Sequence, residues 1–242
     1  MGSDIRLIGS RFASLLLSAL YPSRCPLCKM PADSITYAPL CRGCWNSIER
    51  YAGPSCSVCA RPLVSEYSRL CGECFSRKPY YSAALSFGLY SGALREAIFL
   101  MKFTGIRRLA RPLAQLLHQL PIPPMDGVVP VPLTKKTLRE RGFNQTLLLA
   151  RQLSKSRGIP LFMDALMKKK DTPPQIGLRA KERASNLRNA FSAGSGIAGR
   201  KLILLDDVMT TGATVGECAK TLMKAGAQEV VVVTLARAST DR

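Results

Sequence analysis

From residue 80 onward, two apolar patterns alternate along the chain. Residues 202–205 and, apart from Thr234, residues 230–235 are continuous apolar runs, and residues 128–131 are a short β-branched run. These are the marks of strands covered on both faces. Residues 84–90 also read as a strand. Between these runs, Gly92–Phe103, residues 106–120, residues 144–157 and Ala213–Lys224 carry apolar positions at helical spacing. Pro121, Pro123 and Pro124 break the second of these helices, and Gly158 closes the third. A weaker strand is predicted at residues 161–166. Residues 172–188 are polar, basic and opened by prolines, so a mobile segment is predicted there. Strands alternating with helices predict an α/β domain built on a parallel sheet.

The chain before residue 80 follows neither pattern beyond its first helix. Ile5, Ile8, Phe12, Leu15, Leu16 and Leu20 recur at helical spacing, which predicts an amphipathic helix within residues 1–21 packing on its own protein. Arg6 and Arg11 ahead of an apolar run have the order of a signal peptide, but the run is short and ends at Pro22. A membrane-spanning helix needs about 20 apolar residues, so no transmembrane segment is predicted. Membrane-surface binding is the weaker reading of this helix.

Residues 22–79 hold eight of the nine cysteines, and residues 80–242 form the α/β domain. Cys25 and Cys28 make a CxxC pair, and Cys41 and Cys44 make another after twelve residues. Cys56 and Cys59, then Cys71 and Cys74 after eleven residues, repeat the design. A CxxC knuckle puts two sulfurs on one edge of a tetrahedron and a second knuckle supplies the opposite edge, so two structural zinc ions are predicted. Four thiolates leave no open position for catalysis by the metal. A disulfide framework conflicts with the cytoplasmic setting that an enzyme-like partner domain implies. Sequential pairing of the ligand sets is the first choice. The eleven residues between Cys44 and Cys56 leave open an interleaved set of Cys41, Cys44, Cys56 and Cys59. Cys218, inside a helical segment, reads as a small buried apolar residue.

At 242 residues and 47% apolar content, the chain is long enough for one full α/β core and a smaller module, and too short for two full cores. Thirty-five Lys and Arg against sixteen Asp and Glu give a formal charge of +19, which two zinc–thiolate centres lower to about +15. That charge predicts attraction to polyanions such as nucleic acid, pyrophosphate or an anionic membrane. Trp45, Tyr51, Phe75, Tyr80 and Tyr81 offer rings on which single-stranded DNA bases stack, though each is also a residue that fills cores. Lys135, Lys136 and residues 168–170 read as nonspecific charge, and His118, the single histidine, has no matched partner.

Residues 202–214 read LILLDDVMTTGAT: a buried strand, two carboxylates, then a Thr-rich turn opening a helix. Backbone N–H groups at the helix start, including that of Ala213, combine with the hydroxyls of Thr210, Thr211 and Thr214 into an anion cradle sized for one phosphate. Gly212 permits close backbone approach. Asp206 and Asp207, at a strand end facing the crevice where such sheets bind ligands, suit sugar hydroxyls and magnesium. The chain has no GxxxxGK[ST], so nucleotide-dependent phosphoryl transfer loses support.

This segment resembles the thirteen-residue signature of the type I phosphoribosyltransferases. VPVPL at residues 129–133, RGFNQ at 141–145, MKF at 101–103, and Gln175 with Arg183, Asn186 and Phe191 resemble the ComF and GntX family. That family also carries four CxxC pairs, so the likeness runs over nearly the full length. The resemblance implies a parallel-sheet type I phosphoribosyltransferase fold with an N-terminal double zinc-ribbon module, and phosphoribosyl pyrophosphate with magnesium as ligands. It further implies a pyrophosphate loop at residues 132–134, including Pro132 and Leu133, with Arg141 nearby and Lys181 and Arg183 closing over the pyrophosphate. The family is associated with DNA uptake in natural transformation, with a competence helicase or another DNA-uptake protein as a partner. Neither a transferase acceptor nor an oligomeric state follows from the residues. A non-catalytic nucleic-acid-binding or scaffold role is the alternative.

Overall fold

The computed structural model describes residues 24–169, 187 and 189–239. The expected N-terminal helix and the segment carrying Gln175, Lys181, Arg183 and Asn186 lie outside the described residues. Two five-residue helices, α1 (Arg42–Asn46) and α2 (Gly72–Ser76), each follow a cysteine of the N-terminal module. The α/β domain then runs β1 (Ala83–Leu89), α3 (Gly92–Phe103), α4 (Ala110–Leu116), β2 (Gly127–Pro130), α5 (Lys135–Arg141) and α6 (Gln145–Arg157). It continues through β3 (Leu166–Lys168), β4 (Phe191–Ala193), β5 (Lys201–Met209), α7 (Ala213–Lys224) and β6 (Glu229–Arg237). Short 3-10 turns flank α4, so the single helix predicted over residues 106–120 is three shorter pieces.

Strands β1, β6, β5 and β2 form one sheet in that order, and every pairing in it is parallel. The apolar runs sit at its centre because both faces are covered. Alternation along β5 sends Ile203 and Leu205 to one face and Leu202 and Leu204 to the other. The first face packs against α3, α4 and α6 through residues such as Ile98, Leu113 and Leu153. The second packs against α7 and the small antiparallel β3–β4 pair through Val215, Leu222 and Phe191.

The strand predicted at residues 161–166 is displaced. Leu161 makes one parallel bridge to Val128, and the regular strand is Leu166–Lys168, paired with Phe191–Ala193. That pairing spans a long stretch of chain, which local sequence pattern does not encode. Helix α5 was also not anticipated: Thr134 caps it by accepting from the Thr137 N–H at 3.1 Å, and Gly142, with φ of 75°, ends it.

The cysteine module divides between the two faces. Cys25, Leu40, Cys41 and Trp45 join the core on the helical face, where Trp45 stacks on Tyr37 with ring centroids 4.5 Å apart. Cys56, Cys59 and Cys71 join the core on the opposite face. The sheet thus lies between the two cysteine groups.

Candidate functional site

Period-two alternation sends the neighbouring carboxylates of β5 to opposite faces. Asp207 is buried, and Lys102 from the last turn of α3 meets it with Nζ 2.8 Å from Oδ2. The Gln145 side-chain amide donates to the same oxygen at 3.4 Å, and Arg141 donates to Gln145 Oε1 at 2.6 Å. The Arg141 guanidinium also lies over the Phe103 ring, 5.4 Å from its centroid. A connected polar chain therefore runs from Arg141 through Gln145 and Asp207 to Lys102, drawn from α5, α6, β5 and α3.

The charges in this chain are strongly coupled. Burial pushes Asp206 up and the adjacent Asp207 carboxylate pushes it further, to about 8. Burial acts on Asp207 in the same sense, but the Lys102 ammonium outweighs it and holds Asp207 below its ordinary value. Lys102 is raised in turn, because Asp207 outweighs the effect of burial. Burial lowers Arg141 despite its attraction to Asp207. Without a bound cation, Asp206 therefore keeps its proton at neutral pH while Asp207 carries the charge, so the pair does not hold two charges.

After Met209 the chain turns through Thr210 and Thr211 into α7. Gly212, the residue before the helix, has φ of 83°, a conformation that glycine adopts without steric cost. The Thr211 hydroxyl accepts from the Ala213 N–H at 3.3 Å. The remaining N–H groups of the first turn, on which Thr214 lies, have no partner within the helix, so this turn can accept an anion. Pro132 and Leu133 lie in the turn after β2, next to the carboxylates, because Val131 N–H donates to Leu205 O at 2.9 Å. Thr146 and Asn144 of the RGFNQ region donate to Val131 O at 2.6 and 3.3 Å and hold that turn against α6.

Two important residues escaped the sequence reading. Lys102 was seen only as part of MKF, and its pairing with Asp207 bridges elements distant in the chain. Arg237, at the end of β6, is 1% exposed and donates through Nε to Cys59 O at 3.0 Å. Its Nη1 donates to Met209 O at 2.8 Å and also to Thr210 O. The available signal was an arginine closing a strand whose preceding run is apolar apart from Thr234.

The cysteines gather in the sequential sets: Cys25, Cys28, Cys41 and Cys44, then Cys56, Cys59, Cys71 and Cys74, each with all sulfurs within 4.8 Å of one another. Cys28 and Cys41 sulfurs are 3.5 Å apart, and those of Cys59 and Cys71 are 3.6 Å apart. A tetrahedron of zinc–sulfur bonds has edges of about 3.8 Å, whereas a disulfide brings sulfurs to about 2 Å. Burial would raise the Cys25 thiol, but backbone donors around Cys28, Cys41 and Leu27 outweigh it and bring it to about 6. Cys56 is brought to about 7 in the same way, by backbone donors around Cys71, Cys59 and Val58. Both sets fit structural zinc as thiolate ligands.

Of the rings considered for base stacking, Trp45 and Tyr81 are buried, whereas Phe75 and Tyr80 are exposed. Tyr80 lines a cleft of about 210 Å³ between the second cysteine set and the start of α7, together with Arg61, Arg77, Lys78 and Lys220.

Comparison with known proteins matches residues 16–75 to the double zinc ribbon domain and residues 141–242 to the phosphoribosyl transferase domain. The chain is 37% identical over 212 residues to competence protein F of Haemophilus influenzae, covering 82% of this chain and 90% of that protein. The chain belongs to the ComF family. Within that family, the DNA utilization protein YhgH of Escherichia coli K12 is 33% identical over 228 residues, covering 89% of this chain and 97% of that protein. Competence protein ComFC of Streptococcus pneumoniae is 27% identical over 201 residues, covering 82% and 87%. ComF membership therefore joins a double zinc ribbon to a phosphoribosyltransferase-type domain in one chain. No helix among the described residues is long and apolar enough to cross a membrane.

Proposed function

We propose that this protein binds phosphoribosyl pyrophosphate with magnesium at residues 206–214 and serves DNA uptake in natural transformation; its relatives are named for competence and DNA utilization. The observation that carries the reading is the carboxylate pair at the end of β5, poised by Lys102, beside a glycine-opened helix start with threonine hydroxyls. In this reading the N–H groups and hydroxyls of Thr210, Thr211, Gly212, Ala213 and Thr214 take the 5-phosphate. Asp206 and Asp207 accept from the ribose hydroxyls, and Asp206, half-buried rather than enclosed, helps hold magnesium. Bound magnesium supplies charge neutralisation for a departing pyrophosphate. The turn with Pro132 and Leu133 holds the pyrophosphate, with Arg141, Lys181 and Arg183 as its cationic partners. In a transfer reaction these groups orient the sugar and stabilise the leaving group while an acceptor attacks the anomeric carbon.

Calorimetric titration of magnesium and phosphoribosyl pyrophosphate tests the reading. Saturable binding that disappears in the Asp206→Asn, Asp207→Asn variant supports it; no binding to folded, zinc-loaded protein refutes it. Release of pyrophosphate on adding an acceptor separates an enzyme from a ligand-binding protein.

A second reading is favoured by Tyr80, exposed in a cleft with Arg61, Arg77, Lys78 and Lys220, and by the exposed Phe75 on α2 of the same ribbon. Here the second ribbon and its cleft bind single-stranded nucleic acid by stacking and phosphate contact. Affinity that falls steeply with salt, and weakens on Phe75→Ala with Tyr80→Ala, is expected. Absence of binding at low salt removes this reading.

A further inference from the structure

Among the described residues, Arg237 is the one fully buried cation, and it forms no ion pair with a carboxylate. Its Nη2 has no hydrogen-bond partner. A buried guanidinium left with carbonyl partners alone is costly, and nearby negative charge must offset it. The second cysteine set supplies that charge. Arg237 donates to the carbonyl of Cys59, itself one of the four sulfur donors, and a zinc ion held by four thiolates leaves a centre of about −2. Tyr81 lies within the field of both groups: burial raises its hydroxyl, the Cys59 and Cys74 thiolates raise it further, and Arg237 opposes them.

The other end of Arg237 reaches the candidate phosphate cradle. Its Nη1 holds the carbonyl of Thr210 and shares that of Met209 with the Ala238 N–H at 3.0 Å, and these two carbonyls belong to the same planar peptide units as the N–H groups of Thr210 and Thr211. In a trans peptide the carbonyl and the N–H point in opposite directions. Fixing the two carbonyls on the guanidinium therefore fixes those two N–H groups facing away from it. Gly212 follows directly, and an added Cβ there would lie 2.7 Å from the Met209 side chain and 3.8 Å from the Tyr81 hydroxyl. Loop, tyrosine, arginine and cysteine set form one packed unit.

We propose that Arg237 is a positioning residue that couples the metal state of the Cys56, Cys59, Cys71 and Cys74 centre to the phosphate loop. With the centre filled, its charge holds the guanidinium and the guanidinium holds the loop. With the centre empty, the fixed charge of about −2 is gone, so Arg237 loses its compensating partner and the loop loses its side-chain anchor. The hydrogen bonds of the Cys25, Cys28, Cys41 and Cys44 set do not reach this loop. The inference rests on the reading that residues 206–214 bind a phosphoribosyl ligand. Coupling is reciprocal, so ligand in the loop must also tighten zinc in the second centre.

Zinc release to a chromogenic chelator is followed with and without saturating magnesium phosphoribosyl pyrophosphate, on wild-type protein carrying both zinc ions. The ligand is expected to slow release of one zinc by about fivefold and leave the other unchanged. Arg237→Lys keeps the charge but cannot span three carbonyls; it is expected to retain both zinc ions, bind the ligand about tenfold more weakly and lose the protection. Arg237→Gln is expected to do the same. Wild-type protein that binds the ligand but releases both zinc ions at unchanged rates overturns the inference alone. So do zinc-loaded variants that bind within about twofold of wild type. Wild-type protein that binds no ligand overturns the phosphoribosyl reading, and the coupling with it. If the variants do not fold, the wild-type release experiment decides.

Discussion

The two cysteine sets share a ligand pattern and differ in what surrounds them. The first is wrapped by apolar side chains: Leu40, Trp45 and Tyr37 continue directly into the core under α3 and α4. Arg108 and Arg50 tie the same half of the module to the domain by donating to Ala38 O at 2.8 Å and to Gln119 O at 2.9 Å. The second also joins the core on its own face, with Val58 and Leu63 packed against it, and adds polar ties: Val58 O accepts from Ala84 N–H at 2.7 Å, and the buried Arg237 donates to Cys59 O. One metal-binding design therefore supports two physical tasks: the first set extends a hydrophobic core, and the second borders the loop where anions are expected to bind. Small modules tolerate this division because the metal, rather than their own core, holds the ligand residues together.

The largest effect expected to sharpen this contrast comes from removing ligands from one set at a time. Cys28→Ser with Cys41→Ser removes the first metal from under Trp45 and should cost on the order of 5 kcal/mol or more, since metal binding and module folding are one equilibrium. Thermal melting should show a broad loss extending into the α3–α4 core. Cys59→Ser with Cys71→Ser should spare much of that core and chiefly abolish ligand binding. Equal melting losses from both pairs, with equal effects on ligand affinity, would erase the distinction.

A smaller effect tests whether the candidate site joins the two faces. Lys102 comes from the helical face, whereas the threonine loop opens α7 on the other. Lys102→Met leaves the Asp207 carboxylate buried without its cation, at a cost of about 3 kcal/mol, and should weaken magnesium-dependent binding. Denaturant unfolding of the variant at neutral pH reads the stability cost. A variant as stable as wild type would mean that Asp207 does not depend on Lys102.

Legibility in the sequence follows the same divide between local and long-range interactions. Apolar runs sufficed for β2, β5 and β6, and helical spacing sufficed for α3, α6 and α7, because burial on both faces leaves a local trace. The DDVMTTGAT order carried the candidate ligand loop because its carboxylates, glycine and threonines are neighbours in the chain. Lys102 and Arg237 left no comparable trace. Each acts by reaching a partner across the fold, and from sequence each is one basic residue among thirty-five. The β3–β4 pair was missed for the same reason, since three-residue strands have too few positions to show a period. The spacing also left the sulfur grouping open, and only the fold separates Cys44 from Cys56 by placing them on opposite sides of the sheet.

The smallest predicted effect concerns Asp206, which lies on the second face while its neighbour Asp207 faces the first. Folding raises Asp206 from an ordinary value of 3.8 to about 8. Between those two values the folded protein therefore binds more protons than the unfolded chain, and stability falls as pH rises through the window. Asp207 is lowered, so its contribution is present above its unfolded value and is lost only in more acidic solution. The two carboxylates thus act in separate pH ranges. Asp206→Asn should remove the alkaline penalty and stabilise the protein at pH 9, with a gap to wild type that narrows toward pH 4. Melting temperatures across this range check the sign, and parallel profiles for the two proteins would mean that Asp206 is ionised throughout. A bound cation favours the ionised carboxylate, so magnesium with phosphoribosyl pyrophosphate should release a proton on binding near pH 7. Calorimetry in buffers of different ionisation enthalpy measures that proton, and its absence in Asp206→Asn would assign it to the half-buried carboxylate rather than to the one locked by Lys102.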